Sequence, residues 1–166
     1  MTGRVLEPAP PASAPDTGQT PALTIENLVV TLIGDGRRVP VVTGVDLLVP
    51  AMSTLGLVGE SASGKSLTCL AVMRLLDRRR LSVAGGSIRL GGRELLDLSE
   101  DEMRAVRGSE IGMIFQDPMT SLDPAFTAGQ QIASVVRRHT GAGRRGARIR
   151  ALELLSLVGI GDPGRR

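Results

Sequence analysis

The 166-residue sequence predicts a mixed α/β domain, and three observations lead to that class. Residues 22–49 are rich in β-branched side chains and read as two antiparallel strands. A glycine-bounded loop at 59–66 runs into residues with helical spacing. Two further helical patterns follow, around 127–139 and 145–158.

Residues 1–21 are expected to be a disordered tail. The run from Glu7 to Pro21 is rich in Pro and Ala, too polar and too stiff to pack. Ala22–Leu32 is the first strand, Gly34-Asp35-Gly36 its turn, and residues 40–49 the hairpin partner. Thr54–Val58 is a short apolar run that suits a buried strand feeding a loop. From Lys65 onward, Leu67, Leu70, Ala71, Val72, Leu75 and Leu76 recur at helical spacing, and Asp77 with the arginines after it closes the helix. Residues 86–91 predict another strand, with Gly91-Gly92 as its turn. Ser99 and Glu102 form a capping box, which starts a short helix running to about Arg107. Glu110–Phe115 predicts a further strand, and Asp117-Pro118 and Asp123-Pro124 mark a loop. Gly159 stops the last helix.

The net charge is +3, with 19 arginines against the single lysine, Lys65. Arginines cluster at Arg78–Arg80 and across Arg144, Arg145, Arg148 and Arg150. Sequence-tolerant nucleic-acid binding adds aromatic platforms. The chain has no Trp or Tyr, and Phe115 and Phe126 are its only aromatics. The arginines therefore read as a solvated face, and no nucleic-acid partner is expected. Cys69 is the only cysteine, so it forms no internal disulfide; it is expected to be a small buried residue on a helix. His139 is expected to be a solvated helix residue. No apolar run reaches the roughly 18 residues of a membrane span, so a link to a membrane goes through a protein partner.

Gly59-Glu60-Ser61-Ala62-Ser63-Gly64-Lys65-Ser66 matches the pattern Gly-x4-Gly-Lys-Ser/Thr. Successive backbone N–H groups curled into a nest can ligate the concentrated charge of phosphates, and the positive end of the following helix adds to the attraction. Gly59 permits the tight turn. Gly64 lets the backbone approach without a Cβ. Lys65 supplies a point charge to the outer phosphates, and the Ser66 hydroxyl is a hard ligand for Mg²⁺. Leu67 closes the candidate cofactor-binding stretch. A guanine-specific GTPase would need an Asn-Lys-x-Asp motif, and no second lysine exists to form one. On the loop alone, a small-molecule kinase stays open.

Residues 111–124, Ile-Gly-Met-Ile-Phe-Gln-Asp-Pro-Met-Thr-Ser-Leu-Asp-Pro, resemble the Q-loop of ABC-transporter ATPases, in the form found in the dipeptide/oligopeptide and nickel uptake branch. Val58-Gly59-Glu60-Ser61 fits the same branch. The resemblance covers residues 22–166 and argues against a kinase. It implies an ABC-type P-loop NTPase core with an N-terminal antiparallel β part and a partial helical subdomain at about 117–160. It further implies ATP and Mg²⁺ as ligands, with Lys65 and Gln116 as catalytic residues and Ser66 and Gln116 on the metal. The implied partners are membrane-spanning permease subunits, a second nucleotide-binding subunit and, indirectly, a substrate-binding protein. The implied location is the cytoplasmic face of the membrane.

The sequence also departs from the family pattern. The Leu-Ser-Gly-Gly-Gln signature, the Walker B strand and the switch histidine do not occur in the 166 residues. The expectation is a domain incomplete at its C-terminus that binds Mg-ATP and turns over little by itself, the alternative being a non-hydrolysing remnant. Ala62 stands where the family usually has glycine, and alanine costs about 1–2 kcal/mol there if φ is positive. Leu32 takes the approximate place of an adenine-stacking aromatic. Met52-Ser53 replaces the usual Gly-Glu turn.

Overall fold

The structure is a computed structural model that describes residues 20–34, 37–117 and 121–161. The predicted tail up to residue 19, Asp35-Gly36 of the first turn, Pro118–Thr120 and the last five residues lie outside the described part. Eight elements follow in order among the described residues: β1 (Leu23–Gly34), β2 (Arg37–Val49), α1 (Lys65–Val72), β3 (Leu81–Leu90), β4 (Arg93–Glu94), α2 (Glu100–Val106), α3 (Ala128–Thr140) and α4 (Arg144–Leu157). They fall into two compact units, Met1–Arg104 and Ala105–Arg166.

The first unit is built on an antiparallel sheet of order β2-β1-β3-β4. β1 is its spine, and Ile25, Leu28, Val30 and Thr31 are its buried side chains. The spacing from Ile25 to Leu28 is three residues, so simple alternation fails there. Asn27 is the cause. It takes a positive φ of 47° and inserts one extra residue against both neighbouring strands. A bulge of this kind changes which face the following residues take, and further register shifts between Leu28 and Thr31 leave Val30 and Thr31 buried side by side. The Asn27 N–H, turned out of the ladder, donates to the Asp46 carboxylate at 2.7 Å. On the β3 side Gly86 lies against the bulge with φ at 94°, and a Cβ there would stand 2.5 Å from the Asn27 carbonyl oxygen. Glycine is the residue that fits such a position.

β3 begins five residues earlier than the sequence predicts, at Leu81, because Leu32, Thr31 and Val30 of β1 offer it partners. Gly91 and Gly92 both take positive φ, 54° and 85°, and join β3 to β4 as a two-residue hairpin. Helix α1 buries Thr68, Ala71 and Val72. It ends three or four residues short of the predicted stop. Arg74 adopts φ 52°, its N–H donates to Ala71 O at 3.0 Å, and Leu75 N–H donates to Leu70 O at 2.8 Å. That is a Schellman ending with arginine in the left-handed position. The Arg74 guanidinium donates to the carbonyls of Leu95 and Leu98, which offsets the backbone cost.

The Ser99–Glu102 box forms as the sequence predicts. Ser99 N–H donates to Glu102 Oε2 at 2.7 Å, and Glu102 N–H donates to Ser99 Oγ at 3.3 Å. Ser99 Oγ–H also donates to Glu102 Oε2 at 2.6 Å, and this bond first, with the Ser99 N–H bond next, holds the Glu102 carboxyl below its ordinary range.

Two predicted strands do not form. Residues 54–58 take no regular structure and pair with nothing among the described residues, and Val58 is 91 % exposed. Residues 110–115 make only a one-residue bridge, Arg107 with Ile111, and Ile114 is 95 % exposed. Both runs have the apolar composition of parallel strands covered on both faces. Composition supplies no hydrogen-bonding neighbour, and a strand is defined by one.

The second unit is carried by α3 and α4. α3 starts on a second capping box: Thr127 N–H donates to Gln130 Oε1 at 2.9 Å, and Gln130 N–H donates to Thr127 Oγ1 at 3.2 Å. α4 buries a single stripe, Ala147, Ala151 and Leu155, at i, i+4 and i+8. Gly159, at φ 78°, ends α4, with Gly159 N–H on Ser156 O and Ile160 N–H on Leu155 O, both at 3.0 Å. The predicted glycine stop is thus a Schellman motif. His139 is exposed, as expected, in the last turn of α3, and its ring lies over Gly108.

Candidate functional site

The loop from Gly59 to Ser66 leads directly into α1, whose first residue is Lys65. Gly64 is the N-cap, with φ 92° and ψ −3°, a left-handed conformation. No side chain caps this helix start. The first intrahelical bond runs from Thr68 N–H to Gly64 O at 2.9 Å. The amides of Lys65, Ser66 and Leu67 therefore have no intrahelical acceptor and stand at the positive end of the helix.

Glycine at 64 answers two demands. Its φ disfavours an L side chain, and an added Cβ would meet Val42 Cγ2 at 3.2 Å and Val41 O at 3.5 Å. The helix start is thus seated on β2. Thr68, one turn on, locks the seat by donating its hydroxyl back to Gly64 O at 3.1 Å. The sequence reading gave Gly64 the role of admitting a phosphate; the geometry adds close approach to a strand.

The Lys65 side chain curls back over its own loop. Its ammonium donates to Gly59 O at 2.7 Å, Glu60 O at 2.6 Å and Ser63 Oγ at 3.0 Å. Ser63 N–H reaches Glu60 O at 3.3 Å, closing the turn. Gly59 stands beneath this cluster: an added Cβ would lie 3.0 Å from Ser63 Oγ and 3.6 Å from Lys65 Nζ. Ala62 has φ 63°, so the condition attached to the alanine in the sequence reading is met. Ser61, Ser63 and Ser66 are exposed, and the Ser66 hydroxyl is open to a ligand.

Cys69 is exposed, which corrects the expectation of burial. It is on α1 as predicted, but the helix turns Thr68, Ala71 and Val72 inward and leaves Cys69 on the opposite side.

Gln116 belongs to the second unit and stands exposed at a bend after the unpaired 112–115 segment. The tail of the same run is tied to α3. Asp123 N–H donates to Gln131 Oε1 at 3.0 Å, and Gln131 Nε2 donates to Asp123 O at 2.9 Å and Phe126 O at 3.0 Å. The Asp123 carboxylate accepts from Ala125 N–H at 2.9 Å. Gln131 escaped sequence analysis because a glutamine inside a helical pattern carries no local signal of the loop it braces.

No group of three or more His, Cys, Asp or Glu that could hold a metal occurs among the described residues. A Mg²⁺ ion delivered with a nucleotide does not require one, since phosphates and water supply most of its ligands. The exposed Ser66 hydroxyl at the helix start fits that kind of site.

A glycine-bounded loop, a lysine folded over it and an uncapped helix N-terminus on a mixed α/β scaffold define a P-loop nucleotide-binding protein. The model of the ABC transporter family matches residues 42–166, and the chain belongs to that family. A peptide ABC transporter ATP-binding protein of Sinorhizobium fredii is 46 % identical over 144 residues, covering 87 % of this chain and 43 % of the relative. A peptide import ATP-binding protein of Brucella abortus is 46 % identical over 151 residues, covering 88 % and 45 %. The chain thus spans less than half the length of these relatives. A solved ATP-binding cassette, dimeric and in a post-hydrolysis state with ADP and Pi, superposes with a TM-score of 0.66 at 22 % identity, over 81 % of this chain and 56 % of that one. The likeness establishes the fold. No helix among the described residues is long and apolar enough to cross a membrane.

Proposed function

We propose that this chain supplies the nucleotide-gripping part of an energy-coupling subunit of an ABC importer for peptides. One observation carries the reading: the Lys65 ammonium lies on the loop from Gly59 to Ser66, and that loop ends in a helix start whose amides of Lys65, Ser66 and Leu67 have no intrahelical acceptor. The names of the relatives supply the transport setting, and with it peptides as cargo.

In this proposal the triphosphate of ATP lies along the loop. Its outer oxygens take over Lys65 from the carbonyls of Gly59 and Glu60, and the loop amides ligate the rest. Ser66 would hold Mg²⁺, which when bound neutralises charge on the phosphate oxygens. Permease subunits and a second nucleotide-binding subunit are the proposed partners, and the cytoplasmic face of the membrane is the proposed location. Hydrolysis is assigned to the assembled transporter; the residues of this chain account for binding and positioning.

Titration calorimetry of the folded 166-residue chain with Mg-ATP tests the reading. Saturable heat is expected, and it should be lost when ATP is replaced by adenosine. A chain with the circular dichroism of a mixed α/β fold and no response to millimolar Mg-ATP would overturn it.

A further inference from the structure

We infer that the C-terminal end of α1 carries a pocket for a small aliphatic carboxylate. α1 stops at Val72, and the chain rejoins the sheet only at Leu81. A cavity of about 250 Å³ lies there, between the helix end, the start of β3 and Leu96. Leu76, Leu81, Val83 and Leu96 form its walls, all partly exposed, and the fully buried Ala71 also lines it. It stands at the opposite end of α1 from the phosphate loop.

Two sets of bonds fix its shape. The Arg74 guanidinium donates to Leu95 O at 3.2 Å and to Leu98 O, which ties the Leu96 wall to the end of α1. On the β3 side Ser82 and Val83 are held in the ladder against Thr31 and Val30 of β1. The Ser82 and Thr31 hydroxyls meet at 3.0 Å. A cavity braced in this way needs little reordering to take a ligand.

The lining chemistry selects the ligand. Its polar side chains are Arg74, Arg78 and Ser82, and no carboxylate among the described residues lines it. Arg78 Nη2 donates to Glu100 Oε2 at 3.3 Å, a pair whose side chains are 71 % and 44 % exposed. Such a pair is weak in water, and it engages one donor of the guanidinium fork. A ligand carboxylate can therefore share Arg78 or displace Glu100 from it. A doubly charged phosphate would lose hydration that apolar walls do not return. One carboxylate on a hydrocarbon tail matches one guanidinium over aliphatic side chains. At roughly one water volume, ~30 Å³, per carbon, the cavity takes a tail of about six to eight carbons. The inference does not rest on the phosphate loop, and nucleotide titration reports on that loop separately.

Nuclear magnetic resonance titration of the methyl-labelled chain with sodium octanoate tests it. The methyl resonances of Leu76, Leu81, Val83 and Leu96 should shift saturably, with a dissociation constant below about 1 mM. Arg78→Gln should weaken octanoate binding at least about fivefold and leave the binding of neutral octanol within about twofold. Val83→Phe, which fills the cavity, should abolish the binding of both. Leu76→Phe takes its place if circular dichroism shows that Val83→Phe does not fold. Absence of a saturable shift, shifts spread equally over exposed leucines outside the cavity such as Leu55 and Leu57, or the same octanoate affinity in Arg78→Gln as in the unaltered chain would each overturn the proposal.

Discussion

The ammonium of Lys65 donates to the carbonyl oxygen of Glu60 at 2.6 Å, so the chain's only lysine is held by the loop that precedes it. A compact point charge with three donors suits this arrangement, with two carbonyls and one hydroxyl around it. A planar guanidinium does not. Lys65→Ala and Lys65→Arg should therefore both weaken Mg-ATP binding, by at least about tenfold, with little change in thermal midpoint. Fluorescent ATP-analogue titration measures the first and thermal melting the second. Retention of full affinity in Lys65→Arg would show that charge alone matters.

Ala62 carries a backbone cost that glycine would not. Its φ of 63° costs an L-residue roughly 1–2 kcal/mol, while glycine loses about 0.4–1 kcal/mol through greater freedom of the unfolded chain. Ala62→Gly should stabilise the chain by about 0.5–1 kcal/mol. The urea midpoint should rise at unchanged slope; a fall would place the strain elsewhere.

Gly86 and Gly85 are adjacent but not equivalent. A Cβ at 86 would meet the Asn27 and Glu26 carbonyl oxygens at 2.5 and 2.6 Å, while one at 85 would meet nothing within 4 Å. Gly86→Ala should cost at least about 2 kcal/mol because backbone must move. Gly85→Ala should cost under about 1 kcal/mol. Comparable unfolding curves for the two variants would be inconsistent with the Asn27 bulge.

The capping box at α2 predicts a pH dependence with a definite sign. Hydrogen bonds from Ser99 lower the pKa of Glu102 from 4.5. A depressed carboxyl contributes stability above its unfolded pKa and loses it as pH falls through the folded value. The contribution should be full above about pH 5.5 and fade below 4.5. Ser99→Ala should flatten that acid limb in a series of unfolding curves, whereas Thr127→Ala, at the other box, should lower stability by about 1 kcal/mol at any pH near neutrality.

Much of the candidate site was legible because its signals are local. Gly64, Lys65 and Ser66 stand at a helix start that the change of hydrophobic period at Lys65 already marks. Ser99 and Glu102 specify their own bonds three residues apart. Arg74 was not legible as a helix end, since an arginine in the left-handed region depends on carbonyls of Leu95 and Leu98 more than twenty residues away.

The sequence by itself determined the glycine-bounded loop that opens α1, the β1–β2 hairpin, both glycine-marked ends at Gly91-Gly92 and Gly159, and the capping box at Ser99, because each rests on residues within a few positions of one another. Only the tertiary structure decided that residues 54–58 and 110–115 form no strand, that Asn27 breaks the alternation of β1, and that Gly64 must be glycine to sit on Val42. A strand exists only through a neighbour, and a glycine's necessity only through what a Cβ would strike; neither neighbour is written beside the residue it constrains.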